Sequence, residues 1–187
     1  MGGLWEAGVK SCKYYLRRVM GNALFTFEEL TIALSQIEAC LNSRPLSSMS
    51  TDPMDIQPLT PAHFLIGESL TSLPDVSVMD IPINRLDRWQ MIQRTFQDFW
   101  KRWAAEYLNN LQGRSKWQTA RENLQINDLV IVREENIPPL GWKLGRVIEL
   151  HPGDDGRVQV AIVRTSGGNI KRSIAKLCKL SISSDYD

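Results

Sequence analysis

The sequence predicts an α+β protein: a helical N-terminal part, then one long amphipathic helix, then a small β-barrel. Three observations carry this. Apolar residues recur at helical spacing in three separate stretches before residue 112. Short runs rich in Val and Ile follow only from Asp128 onward. Between those runs stand Asp-Gly and Gly-Gly pairs, the strongest short-range signals for hairpin turns.

The elements follow in order. From Glu6, apolar residues fall at Val9, Cys12, Leu16 and Val19, one stripe of a helix that Gly21-Asn22 ends. Lys10, Lys13 and Arg17 follow Glu6 at +4, +7 and +11, so all four share a helix face. Thr26-Phe27-Glu28-Glu29 is a capping box that opens a second helix, with Leu30, Leu34, Ile37 and Leu41 as its stripe. It stops before Pro45, because the residue preceding a proline disfavours the helical region. The two helices are expected to pair antiparallel.

Residues 45–83, rich in Pro, Ser, Thr and Asp, read as an irregular connection. One turn of helix is expected at Pro61–Leu65, with Thr60 as cap and Pro61 at the first helical position. A long helix should span about 84–111. Trp89, Ile92, Phe96, Phe99, Trp103 and Leu108 lie on one face, flanked by Trp100 and Tyr107, and Arg88, Arg94, Lys101 and Arg102 lie opposite. So aromatic a stripe is expected to be a packing surface. The remaining runs, "DLVIVRE", "WKLGRVIELHP", "GRVQVAIVRTSG" and "NIKRSIAKLCKL", predict four or five strands in a barrel that leans on the long helix.

Charge is segregated although the net is only +1. Residues 1–20 are net +3, residues 21–82 net −7 and residues 83–187 net +5, so a nucleic-acid surface belongs at the two ends. Cys12, Cys40 and Cys178 are odd in number and far apart, which fits reduced thiols and a nuclear or cytoplasmic location. Neither His63 nor His151 has a second ligand nearby in sequence, so neither reads as a metal site. No apolar run approaches the roughly 20 residues that span a bilayer, so no membrane partner is expected. There is no Gly-rich phosphate loop, nucleophile elbow, metal-spaced His pair or Cys/His pairing.

Several of these stretches, taken together, carry a resemblance. "GGLWEAGVKSCKYYLRRVMG", "TFEELTIALSQIEACLNSRPL" and "LTPAHFLIG" resemble the last third of the catalytic core of a BEL/Pao-type LTR retrotransposon integrase. "LDRWQMIQRTFQDFWKRWAAEYLNNLQGRSKW" and "NDLVIVREENIPPLGWKLGRVIELHPGDDGRV" resemble the C-terminal domain that follows it. The resemblance divides the chain into C-terminal helices of a core at 1–68, a linker at 69–83, a long helix at 84–114 and a Src-homology-3-like barrel at 115–181.

That resemblance implies a ribonuclease-H-like fold for the complete core. It also implies a metal-dependent polynucleotidyl transferase in which two aspartates and a helix glutamate hold Mg2+ or Mn2+ for in-line attack on a phosphodiester. Glu6 matches the glutamate, and Lys10 and Lys13 match helix positions that contact DNA. The two aspartates lie upstream in the family, whereas Asp52, Asp55, Asp75 and Asp80 follow Glu6 here. The chain as it stands is therefore expected to be a truncated piece, without catalysis and with no cofactor of its own.

The expected function is non-specific, phosphate-directed DNA binding within DNA integration. Lys10, Lys13 and Arg17 would act on the first helix, and Lys143, Arg146, Arg157, Arg164, Lys171 and Arg172 on one face of the barrel. The alternative is a protein-interaction or assembly module that uses the Trp-rich helix and barrel. Because the resemblance implies that the first two helices pack on a sheet of the core that is not in this chain, their stripes, Val9-Cys12-Leu16 and Leu30-Leu34-Ile37-Leu41, are expected to be partly exposed or to pack on each other, which would favour self-association.

Overall fold

In the computed structural model the described residues are 3–21, 24–70, 76–113, 124–135, 137–153 and 156–180. They form the helices α1 (Gly3–Met20), α2 (Phe27–Asn42), α3 (Pro61–Ile66) and α4 (Arg88–Gly113). The strands are β1 (Ser47–Ser48), β2 (Pro58–Leu59), β3 (Leu129–Val132), β4 (Leu144–Pro152), β5 (Val158–Thr165), β6 (Gly168–Ser173) and β7 (Leu177–Lys179). The chain is thus α+β, as expected.

The aromatic face of α4 organises the helical half. Phe96, Phe99, Trp100, Trp103 and Ala104 are buried with Tyr15 of α1 and with Ile37 and Cys40 of α2. Both N-terminal helices dock mainly on α4 rather than on each other. The reason is area: the rings of Phe96, Phe99, Trp100 and Trp103 offer far more apolar surface than either short helix offers the other. Docking also rotates α2 from its expected phase, so that it buries Ala33, Ile37 and Cys40 and leaves Leu34 exposed.

The capping box at Thr26 and Glu29 forms as the sequence predicts. The start of α4 does not fall at 84. Asp87 Oδ1 accepts from Gln90 N at 2.7 Å, and Gln90 Oε1 accepts from Asp87 N at 3.1 Å. This reciprocal cap satisfies two otherwise orphan donors and fixes the first turn at Arg88, after a 3-10 turn at Ile83–Arg85.

The connection at 45–83 is more ordered than expected. β1 and β2 pair antiparallel, and α3 follows with Thr60 as cap and Gly67 closing it at φ 82°. His63 serves that cap, its Nδ1 accepting from Thr60 N at 3.0 Å. Residues 76–81 are tied along α4: Gln97 Oε1 accepts from Val78 N, and Arg94 Nη1 donates to the carbonyls of Val78, Met79 and Ile81.

The β half is one antiparallel sheet in the order β6-β5-β4-β3-β7. β6 and β7 are its two ends, so the described residues do not close a barrel. β3 is buried on both faces. Leu129 and Ile131 meet Leu108 of α4 together with Cys178 and Leu180, whereas Val130 and Val132 cluster with Val147, Ala161, Val163 and Leu177 on the other side. The expected hairpins are present: Thr165 pairs with Gly168 across Ser166-Gly167, and Gly153 N donates to the Arg157 carbonyl at 2.8 Å beneath the β4–β5 turn.

Candidate functional site

The sequence-predicted residues fall into two groups. On α1, Lys10, Lys13 and Arg17 are all exposed. They lie opposite the half-buried Cys12, Leu16 and Val19, which pack against the core. Tyr15 anchors the helix with an edge-to-face contact on Phe99, ring centroids 5.8 Å apart. Burial, and then a hydrogen bond to Glu106, push its phenol pKa up, so it stays neutral. Arg18 turns back over the Tyr14 ring at 3.7 Å. The Glu6 side chain lies outside the described residues, although its backbone belongs to α1.

The divalent-metal set that the resemblance implies is not matched by the described residues. No three His, Cys, Asp or Glu side chains among them come together as ligands. Asp52 Oδ1 accepts from Met54 N and Asp55 Oδ1 from Gln57 N, so both carboxylates serve local turns. Asp75 lies outside the described residues.

The second group does not form the single cationic face that the sequence suggests. The pleat divides it, because successive strand residues point to opposite sides. Arg146 is the cross-strand neighbour of Arg164, and Lys171 pairs with Ile162, two residues from Arg164, so these three share the sheet face that carries Leu129. Arg172, next to Lys171, points to the other face. There it meets Glu134, which also accepts from Lys143 Nζ at 2.6 Å. These bonds, with Lys143 foremost, hold the Glu134 carboxyl below the usual range. Lys143 and Arg172 are therefore already matched by an acid.

Arg146 is not a surface cation at all. It is 3% exposed. Its Nε donates to the Asp55 carbonyl at 2.7 Å, Nη1 to the Asn127 carbonyl at 2.9 Å, and Nη2 to Ser48 Oγ at 2.8 Å and the Ser50 carbonyl at 2.6 Å. A buried guanidinium persists only when its donors are filled, and here backbone carbonyls and one hydroxyl fill them. Arg164 reaches the same segment, with Nη2 donating to the Pro53 carbonyl at 2.7 Å and Nη1 to Met54 Sδ at 3.0 Å. Residues 48–55 are thus a strap clasped on the sheet. Lys171 is exposed on β6 and Arg157 is exposed in the β4–β5 turn.

Sequence reasoning missed Asn127 and Glu134. Asn127 sits at φ 75° and donates from Nδ2 to the Thr51 carbonyl at 3.2 Å, a third tie on the strap. Asn is the side-chain type that tolerates this conformation, which was the one available signal. Nothing local marks Glu134 apart from other acids.

A cleft of about 710 Å³ lies between α4, the 133–139 turn and residues 77–80, with Trp100, Ala104, Pro138 and Trp142 among its walls. Among the described residues no helix is long and apolar enough to cross a membrane.

Residues 87–180 match a family of unknown function, DUF5641. No curated protein and no solved structure matches the chain. The matched stretch begins at the cap of α4 and runs to the residue after β7, so it is one structural unit, the long helix with its sheet. Because the match covers half of the sequence, the chain belongs to the DUF5641 family.

Proposed function

We propose that this chain is part of a BEL/Pao-type retrotransposon integrase and that it contributes phosphate-directed, sequence-independent DNA binding. The observation that carries the reading is the α1 stripe. Lys10, Lys13 and Arg17 are exposed side by side, away from the packed face, and have no acid within ion-pair distance among the described residues. Cations so presented suit a phosphate backbone.

Two further features support it. Phe27 and Leu34 of α2 stay exposed, as apolar residues would in helices that take a further layer in a complete core. The sheet runs as a meander through β3, β4, β5 and β6, and β7 returns beside β3 after a 3-10 turn at Ile174–Lys176. That connectivity favours the Src-homology-3-like reading. The chain by itself is proposed to be non-catalytic, and the working site of Mg2+ or Mn2+ is assigned to a complete relative.

The test is a titration of labelled duplex DNA at two salt concentrations, with the wild-type chain and a Lys10→Gln/Lys13→Gln/Arg17→Gln variant. The variant should bind more weakly. The slope of log K against log salt should fall by about 0.9 for each phosphate that the variant no longer neutralises. Absence of binding at low salt, or binding indifferent to salt, overturns the reading.

A second reading, an assembly module, has its own observation. Trp100 and Trp103 of α4 are buried in the protein's own core, whereas Trp89 at the start of the helix stays 49% exposed. Phe64, Leu65 and Ile66 of α3, however, are 72%, 66% and 58% exposed in succession. Sedimentation across a concentration series separates the readings: association abolished by Phe64→Ser would favour assembly.

A further inference from the structure

Arg164 and Arg146 are direct cross-strand neighbours, and neither has a carboxylate within 4.0 Å among the described residues. Like charges facing each other across a strand pair repel, and desolvation sharpens the cost. The two arginines answer this differently. Arg146 is sealed in and makes four bonds to oxygen. Arg164 is half-buried and holds one carbonyl and one thioether sulfur, and its Nε is buried with no acceptor. A thioether is a weak acceptor for a guanidinium that could hold a bidentate anion. The sulfur belongs to Met54, which is 70% exposed, so little packing keeps it in place. Lys171, exposed on the same sheet face one pleat away, would be the next cation along the path of a phosphate backbone.

We propose that Arg164 is a phosphate-contacting residue covered in the free protein by the 48–55 strap, with Met54 as its displaceable latch. Arg146 and Asn127 keep the strap anchored to the sheet. On nucleic-acid binding only Met54 gives way, and a phosphate oxygen replaces its sulfur on Arg164. The assignment rests on the phosphate-directed reading above and adds to it a specific residue and a competitor within the chain.

A duplex titration with four proteins tests it: the wild type, Met54→Ala, Arg164→Gln and the α1 triple variant. Met54→Ala removes the competing acceptor and should tighten binding about two- to fivefold. Arg164→Gln should weaken binding and lower the salt slope by about 0.9. In wild-type protein labelled with 13C-methyl methionine, the Met54 methyl resonance should move on addition of DNA as the sulfur leaves the guanidinium. If the triple variant loses affinity while Met54→Ala and Arg164→Gln bind like the wild type, the latch is overturned and DNA binding stands. If none of the four proteins binds DNA at low salt, both fall.

Discussion

Trp142 and Ser43 are joined by a hydrogen bond: the indole Nε1 donates to Ser43 Oγ at 3.2 Å. The bond links the end of α2 to the approach of β4, across the edge of α4. Trp142 also packs edge-on against Trp100, Trp103 and Tyr107, with ring centroids 4.8, 5.9 and 5.6 Å away. Trp100 Nε1 donates to the Ile137 carbonyl at 3.0 Å and holds the same turn from the other side. The helical half and the sheet therefore share one aromatic joint.

Removing that joint should uncouple the halves. Trp142 is half-buried, so Trp142→Ala is expected to cost about 3 kcal/mol, the low end of the range for truncating a large core aromatic. Trp142→Phe keeps a ring but drops the bond to Ser43 and should cost about 1–2 kcal/mol. Urea melts followed by far-ultraviolet dichroism and by Trp fluorescence should coincide for the wild type. They should separate for the alanine variant.

Arg146→Met should free the strap. The carbonyls of Ser50, Asp55 and Asn127 would lose their donor while the surrounding chain stays packed. A loss of about 3 kcal/mol is expected, since unsatisfied buried acceptors cost about 1–3 kcal/mol each and some would gain water. Amide exchange should quicken first at residues 48–55. Unchanged protection there would refute the clasp.

Gly145 of β4 leaves no room for a side chain against β5. A Cβ at this position would lie 2.5 Å from Val163 Cγ1 and 2.6 Å from the Arg164 carbonyl oxygen. Gly145→Ala should therefore destabilise by about 2 kcal/mol or more, because backbone rather than a flexible side-chain tip must move. Gly156→Ala, with nothing within 4 Å, probes only the strain of its φ of 71° and should cost less. Thermal melts of the two variants provide the comparison.

Glu134 gives the sheet a pH-dependent tie. Its bonds to Lys143 and then Arg172 depress its pKa in the folded state. The stabilisation is thus complete above the ordinary glutamate value of about 4.3 and is lost as pH falls through the lower folded value. The site is largely solvated, so the effect is small. Glu134→Gln should lower Tm slightly at neutral pH and flatten its decline on the acid side. Parallel Tm–pH curves for the two proteins would argue against the tie.

Much of the local structure was legible because it depends on neighbours in sequence. Thr26 and Glu29 cap each other three positions apart, Pro61 follows its cap Thr60, and the Gly167-Gly168 pair marks the end of the β5–β6 turn and the start of β6. The start of α4 was equally local, and the Asp87–Gln90 pair was its signal. What stayed hidden depends on distant partners. No spacing shows that Arg146 meets Ser48 and Asp55 from across the chain. The split of the cations follows from the pleat, which turns adjacent Lys171 and Arg172 to opposite faces; which partners each cation then meets, such as Arg164 beside Arg146, depends on strand register. One residue of register decides which face a side chain joins. The α1 stripe was readable because its cations lie on a single helix.

The covering of α4 has a practical side. Phe99 and Trp103 are shielded in part by Tyr15, Ile37 and Cys40, which all precede the matched stretch that begins at residue 87. A polypeptide trimmed to that stretch would carry a bare aromatic ridge into water. Such a fragment should bind hydrophobic dyes and collect in inclusion bodies, whereas one that keeps α1 and α2 should remain dispersed.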